Sequence, residues 1–466
     1  MKKILLYAGL MLFLTAGIAV AADDEESWIT IGGDLRLRYD NLKGTVHDYI
    51  STDGAGNVAA VPGYKVKNDS LFLGRFGLNV NAQATENISV RARMLMYKVW
   101  GHETGGPVQG NYFADRAAGP LDGNVGHVPG DNALRAEEMY ATWSNLGGAP
   151  VWISAGRRPT SGGVPTNLRQ NLEKPVREGA SGIMMDYTFD GAVIGYSPKI
   201  DSLPGAYARL SYGKGFESGY VSSNQVEGQF SQLNSLKDTD YVGANVVPYN
   251  TGDLFIDLQI QKGFHVTDYT VQAEPGFQPQ TTNIGDITWW GGVVKGKVGD
   301  LNLFASAAQS KTSPNDHQFG GYGLLWDTNH PNNQKSLIGT AFYIGGRYDI
   351  KSTGTKIGAE YNQGSQNWVA MVPAGDDIWT SKLGTRGKVY EVYIIQELNK
   401  KPIMKRGMAF CRIGYQYYSF DYTGSNNWMG APVKISDLDL VNQANAQILA
   451  PVQDAKDLYV TFDVLF

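Results

Sequence analysis

The sequence predicts an all-β fold, a transmembrane antiparallel barrel of about 16 strands, and 14 or 18 strands are also compatible with the pattern. Strand-like stretches of roughly ten residues alternate apolar and polar side chains, and the connections between them alternate between long and short. Hydrophobic residues make up 42% of the chain, yet the mean hydropathy is −0.27. Such alternation hides lipid-facing residues from a hydropathy scan, and beyond the first 21 residues no apolar run is long enough for a membrane helix.

The first residues indicate export. Lys2 and Lys3 precede an apolar stretch over residues 4–18, and Ala19-Val20-Ala21 is a small-residue cleavage site followed by four acidic residues. This order is typical of a Sec signal peptide. The expected organisation is a cleaved segment over residues 1–21, a short periplasmic segment over 22–27 and a barrel over 28–466.

The last residues, 458–466, also have strand periodicity, because every second side chain is apolar. A final strand that ends on phenylalanine resembles the assembly signal of bacterial outer-membrane proteins. The resemblance implies that Phe462, Val464 and Phe466 are recognised by the barrel assembly machinery.

The connections are asymmetric, with eight long loops, seven short turns and an even number of strands. Transmembrane barrels have this arrangement, with short periplasmic turns and long outer loops. One stretch, residues 182–197, is open to two interpretations. It fits two short strands joined at Asp190-Gly191, or one long strand with a bulge there, and the second preserves the long–short alternation.

The two faces of each strand differ in polarity. Leu35 and Leu37 share one face of the first strand, and Arg36 and Arg38 share the other. A soluble β protein would turn the apolar face inward, and alternation alone does not separate the two cases. Tyr and Trp residues near strand ends, among them Trp100, Trp143, Tyr140 and Trp289, favour a membrane barrel with aromatic girdles. The side chains then expected to line the lumen are Arg36, Arg38, Arg75, Arg91, Arg93, Arg158, Asp257, Lys295, Lys297, Arg347, Asp349, Glu360, Glu391 and Arg412.

Together the signal peptide, terminal Phe466, loop asymmetry and arginine-rich polar faces resemble general bacterial porins. Gly156-Arg157-Arg158-Pro159 and the segment 180–184 are also similar to an uncharacterised family of outer-membrane barrels. In sixteen-stranded porins the third outer loop folds inward and narrows the pore, and here that loop spans residues 159–180. The resemblance implies a constriction, with a solvated surface loop as the alternative, formed by Arg169, Glu173, Lys174, Arg177 and Glu178.

We expect no catalytic, cofactor or metal site, and therefore no enzyme. All six histidines fall in predicted loops or at strand tips, and none pairs with a nucleophile at a defensible spacing. Cys411 is the single cysteine, so thiolate metal sites and covalent haem are unsupported. The acidic pair Asp437 and Asp439 lacks calcium-loop spacing. A net charge of −5 suggests no nucleic-acid partner.

The sequence therefore predicts a Gram-negative outer-membrane porin that passes small hydrophilic solutes or ions. Because the luminal count leans basic, we expect weak anion preference. The alternative is a barrel that sheathes a partner protein, as in a porin–cytochrome electron conduit or a secretion assembly. The expected contacts are outer-membrane lipids and lipopolysaccharide, the assembly machinery, the solutes, and either further copies of the chain or a periplasmic cytochrome.

We expect membrane fractionation to place the mature chain in the outer membrane. An unheated sample should migrate anomalously on a denaturing gel, because a closed barrel has no frayed edge at which unfolding begins. Recovery in the soluble periplasmic fraction would contradict this expectation.

Overall fold

The computed structural model describes residues 28–52, 57–102, 129–130, 132–159, 163–172, 188–217, 237–267, 282–318, 320–372, 377–398 and 407–466. The predicted segments 1–21 and 22–27 lie outside these residues. Sixteen antiparallel strands form one closed barrel in chain order. They are β1 Ile29–Val46, β2 Tyr64–Thr85, β3 Ile88–Val99, β4 Arg135–Trp143, β5 Val151–Pro159, β6 Thr188–Tyr196, β7 Tyr207–Phe216, β8 Thr239–Asn250, β9 Leu254–Thr267, β10 Asn283–Val298, β11 Leu301–Pro314, β12 Ile338–Ile350, β13 Thr355–Gly364, β14 Gly387–Glu397, β15 Met408–Phe420 and β16 Val452–Leu465.

Pairing between the first and last strands closes the sheet. β1 pairs with β16 from Asp34 opposite Leu465 to Val46 opposite Val452. Beyond β16, the Gly33 N–H donates to the Phe466 carbonyl at 2.7 Å and the Phe466 N–H donates back at 3.0 Å. Every barrel strand thus has two neighbours and no strand is left at an edge.

The predicted assembly-signal residues lie on the outward face of β16 and just after it. Phe462 and Phe466 are exposed and Val464 is half-buried. Their recognition by an assembly machinery stays a prediction.

The connections confirm the predicted strand number and alternation. Seven turns at one end are short and eight connections at the other are long. Two of the long connections carry small hairpins, Tyr49–Thr52 with Val58–Val61 and Tyr322–Gly323 with Trp326–Asp327. No helix in the described part of the chain combines the length and apolarity needed to cross a membrane.

Strand β6 corrects one prediction. A single strand runs through Asp190 and Gly191, as preferred, but the expected bulge there is absent from its pairing. Asp190 lies opposite Arg157 on one side and Lys214 on the other, without a register shift. The Asp-Gly pair is therefore ordinary strand, because both neighbouring strands continue past it.

The barrel is apolar outside and polar inside. On β9, Leu258 and Ile260 are 56% and 52% exposed, while Gln259 and Gln261 between them are 6% and 7% exposed. The other strands repeat this pattern, with large apolar residues outward and charged residues inward. This polarity is the reverse of a soluble β protein, where alternating apolar residues face a core.

The aromatic prediction is correct for some residues and wrong for others. Trp100 and Trp143 are each 53% exposed on the outside. Tyr140 and Trp289 are buried on the inward face instead. A ring near a strand end faces outward or inward according to its position in the two-residue repeat, and proximity to the end does not decide it.

Inward glycines make room for rings on the adjacent strand. Tyr459 of β16 lies over Gly414 of β15, and Tyr393 of β14 lies over Gly358 of β13. A Cβ at either glycine would overlap the neighbouring ring. The glycines thus allow two large tyrosines to lie flat against the inner wall.

We expect Gly414→Ala to destabilise the barrel by about 1–3 kcal/mol, because the added methyl group displaces the Tyr459 ring. The temperature at which the folded gel band converts to the unfolded one should fall. Gly296→Ala is the control, since a Cβ there meets nothing within 4 Å. Equal conversion temperatures for the two variants would contradict this role of Gly414.

Candidate functional site

The barrel interior is the candidate site, because the inward faces of the strands carry most of the buried charges. All fourteen residues predicted to line the lumen lie on these faces. Eleven are buried, and Arg75, Arg91 and Lys297 are more exposed. Their role in lining an open pore stays a prediction.

Most arginines of the first strands are held by carboxylates. The ion pairs are Arg36 with Asp463, Arg38 with Asp40 (2.6 Å) and Asp457 (3.1 Å), and Arg93 with Glu137 (2.6 Å) and Asp34 (2.7 Å). These side chains are almost fully buried, except that Asp34 is about one-fifth exposed. The charge of this wall is therefore compensated locally, and each removed partner would leave an uncompensated buried charge.

The connection between β5 and β6 enters the barrel. Its residues 163–172 contain one helical turn, Thr166–Arg169, in which Leu168 is fully buried. Arg347 of β12 donates to the Leu168 carbonyl at 2.7 Å, and Arg412 of β15 donates to the Arg169 carbonyl at 2.5 Å. These strands lie almost opposite β5 in the ring, so the segment reaches the far wall.

Of the predicted constriction set, the structure places Arg169 inside the barrel. Glu173, Lys174, Arg177 and Glu178 lie outside the described residues.

A cluster of five charged residues, here called the luminal bridge, joins this segment to the connection between β13 and β14. It consists of Arg169, Glu360, Asp377, Lys382 and Glu391. Arg169 Nη1 lies 2.8 Å from both Asp377 Oδ1 and Glu391 Oε2. Lys382 Nζ lies 2.6 Å from Glu391 Oε2 and also bonds Glu360. Two cations thus meet three carboxylates in one buried network.

Neutral side chains add hydrogen bonds to the bridge. Gln416 Nε2 donates to Asp377 Oδ1 at 2.8 Å, and Tyr459 Oη donates to Glu391 Oε1 at 2.6 Å. Tyr343 Oη donates to Glu360 Oε2 at 2.5 Å. These bonds lower the cost of burying the charges, because unmet hydrogen bonds in a buried cluster are costly, and Glu360 Oε1 alone among the carboxylate oxygens of the bridge is buried without a hydrogen bond from the described residues.

An apolar run in the β13–β14 connection also folds inward. Trp368, Val369, Ala370 and Met371 are fully buried, and Val372 is nearly so. Trp289 Nε1 of β10 donates to the Val369 carbonyl at 2.7 Å. The inward-folded run therefore occupies the part of the interior that lies beside β10, toward the long-loop end of the barrel.

Arg386 ties this connection to the one between β15 and β16. Its guanidinium and Nε donate to four backbone carbonyls, those of Trp368 (3.0 Å), Thr423 (3.1 Å), Gly424 (2.8 Å) and Asn427 (2.6 Å). This buried side chain therefore links the two long connections.

The sequence prediction missed Asp377, Lys382 and Arg386, because these residues stand in a segment assigned to a solvated outer loop. A signal was present in the run Trp368 to Val372, five apolar residues where a solvated loop would be polar.

The wall formed by β5 to β9 is different, because it borders a cavity of about 60 Å³. Arg158 of β5 and Arg209 of β7 line it together with Tyr241, Asn245 and Gln261. The Arg158 guanidinium lies 4.5 Å from the centre of the Tyr140 ring, which fixes its position. Amide, aromatic and guanidinium groups here can hydrogen-bond and stack against a polar solute.

Asp439, considered above for calcium, is engaged otherwise. The backbone amides of Asn442 and Val441 donate to its carboxylate at 2.6 and 2.8 Å and hold its pKa below the ordinary value. Among the described residues no group of three or more His, Cys, Asp or Glu side chains could hold a metal ion.

Sixteen antiparallel strands, short turns at one end, a charged interior and inward-folded loops define a porin-like barrel. The chain belongs to the family described as "Protein of unknown function (DUF3373)", which matches residues 65–466. No curated protein matches the chain.

Among solved structures the barrel is similar to OmpT, an outer membrane protein of Vibrio cholerae, at 11% identity and a TM-score of 0.43, covering 96% of this chain and 100% of that one. It is similar to OprB of Pseudomonas putida at 10% identity and a TM-score of 0.44, covering 94% of each chain. It is also similar to an anion-selective porin from Comamonas acidovorans at 12% identity and a TM-score of 0.44, covering 95% and 100%.

We expect Lys382→Met to release the inward part of the β13–β14 connection, because Glu360 and Glu391 would lose a buried cation at a cost of about 3–5 kcal/mol. Hydrogen exchange over residues 377–386 should then accelerate. Lys388→Met is the control, since Lys388 lies on the outward face of β14. Equal exchange in both variants would mean that the luminal bridge does not hold this segment.

Proposed function

We propose that this protein is an outer-membrane channel of the porin type, through which small hydrophilic solutes or ions diffuse. The observation that carries the proposal is the polarity of the closed barrel, apolar toward its surroundings and charged toward its interior. Only a barrel that stands in lipid benefits from this arrangement, because water would otherwise contact the apolar face. The expected export signal and terminal strand support the same location.

The solute path should follow the wall of β5 to β10. The luminal bridge and the apolar run 368–372 occupy much of the remaining interior, and the run contacts Trp289 at the β10 end of this wall. The inward faces of β5, β7 and β10 carry four cations, Arg158, Arg209, Lys295 and Lys297, and β9 adds the anion Asp257. We therefore expect the path to run off the barrel axis, beside a wall with a basic excess.

We propose that the wall of β5 to β10 sets the ion preference, and that the arginines of β1 to β3 do not. Three arginines of β1 to β3, namely Arg36, Arg38 and Arg93, form ion pairs with carboxylates that compensate their charge. A neutral ion pair has little effect on a passing ion beyond a Debye length, about 8–10 Å at ordinary salt. The weak anion preference is thus proposed to arise from the excess of cations over anions on the inward faces of β5 to β10, four cations against Asp257.

The sheath for a partner protein has less support. A partner that threads the barrel needs an unoccupied interior, whereas Leu168 and the run 368–372 of this chain are buried there. The channel proposal needs only a path along one wall.

Single-channel recording tests the proposal. The purified barrel should conduct in a planar bilayer, and its reversal potential in a salt gradient should indicate weak anion preference. Arg158→Gln with Arg209→Gln should shift that potential toward cations, because two charges beside the path are lost. Arg75→Gln should shift it less, since Asp34 and Arg93 remain paired.

Two outcomes would overturn parts of the proposal. An inserted barrel without conductance would favour the sheath. A cation-selective wild-type pore, or an unchanged potential in the double variant, would remove the basic wall as the selectivity element.

A further inference from the structure

Three lysines stand side by side on the outer surface near the long-loop end of the barrel. Lys43 of β1 lies directly opposite Lys456 of β16 on one side and Lys67 of β2 on the other. All three are exposed on the lipid-facing side, with Lys67 at 71%. We call Lys43, Lys67 and Lys456 the lysine row.

Direct opposition of like charges is unfavourable in a sheet. Side chains at opposed positions have Cβ atoms about 4.5–5.5 Å apart, and equal charges there repel. Lys67 Nζ lies 3.1 Å from Asp69 Oδ2, but the described residues provide no ion pair for Lys43 or Lys456. Among the described residues, the three ammonium groups over about 10 Å therefore have one ion pair, that of Lys67 with Asp69.

A second row of charged residues on the outer surface differs from the lysine row, because its charges alternate in sign. Arg157, Asp190, Lys214 and Asp240 lie in register on β5 to β8, so their charges alternate in sign. Arg157 pairs with Asp190 at 3.1 Å, and Lys214 Nζ lies 2.5 Å from Asp238 Oδ2. This alternating row is self-compensated, whereas the lysine row is not.

The lysine row adjoins aromatic side chains. Tyr417 of β15 lies opposite Lys456, with the ammonium 5.7 Å from the ring centre, and Tyr390 and Tyr361 continue in register on β14 and β13. Tyrosines exposed near strand ends sit at the level of lipid headgroups. In the proposed membrane location, the ammonium groups beside them therefore stand at the level of headgroup phosphates.

We propose that the lysine row binds the phosphate of a membrane-lipid headgroup, held between Lys43, Lys67 and Lys456, with the lipid chains on the apolar strand surface below. A phosphate oxyanion neutralises the opposed ammonium groups and accepts several charge-assisted hydrogen bonds from them. The inference rests on the proposed membrane location and adds a specific lipid contact to it.

Native mass spectrometry in a zwitterionic detergent tests the inference. The protein is titrated with phosphatidic acid, with phosphatidylcholine of the same chains, and with inorganic phosphate. We expect phosphatidic acid to bind about 100-fold more tightly than phosphatidylcholine, because each of the three lysines near an anionic headgroup contributes roughly a fivefold gain. Inorganic phosphate, which has no chains, should compete weakly.

The variant with Lys43, Lys67 and Lys456 all changed to Gln should lose this preference. A control with Lys214, Lys262 and Lys311 changed to Gln removes the same charge from the outward faces of β7, β9 and β11 and should keep it.

The outcomes separate the two proposals. Equal phosphatidic acid binding by the lysine-row variant and the wild type overturns the inference, and so does an equal loss in the control. Effective competition by inorganic phosphate would assign the site to a free anion, and a wild-type dimer lost in the variant would assign it to a second copy; both overturn the lipid proposal. Failure of the wild type to insert into bilayers would instead contradict the proposed function.

Discussion

Closure of the sheet is the constraint on which the rest of the structure depends. Because β1 pairs with β16, every strand has hydrogen-bonded neighbours on both sides, and backbone polarity is satisfied around the whole ring. Closure also divides the side chains into an outer and an inner set, fixed by the two-residue repeat. The outer side chains can then be apolar, as Leu258 and Ile260 are. The charged inner side chains lie close together in a confined space, so their charges must be compensated there.

The inner charges are compensated by ion pairs between residues that are far apart in the sequence. Glu391 of β14 meets Arg169 from one outer connection and Lys382 from another, and its second oxygen accepts from Tyr459. Such a cluster adds little to the free energy of unfolding compared with apolar packing, but it forms only when its charged groups have specific relative positions. It therefore specifies where the inward loops lie, and the space left beside β5 to β10 follows from that placement.

The sequence predicts well the features that depend on neighbouring residues, and it predicts poorly the contacts between residues far apart in the chain. Strand number, loop asymmetry and the inward position of Arg36 or Glu391 follow from a repeat that each strand carries by itself. The luminal bridge does not follow, since Arg169 and Asp377 are separated by 208 residues and no local pattern links them. The wrong bulge at Asp190 has the same origin, because a hairpin dipeptide is overruled by the two strands that flank it.

The crossing of the barrel by residues 163–172 has a consequence for the order of assembly. Arg347 and Arg412, which hold the Leu168 and Arg169 carbonyls, follow them by 179 and 243 residues. These two hydrogen bonds can therefore form only when the second half of the sheet is in place. We therefore expect the inward position of this segment to be fixed late in folding, after the strands that carry both arginines have paired.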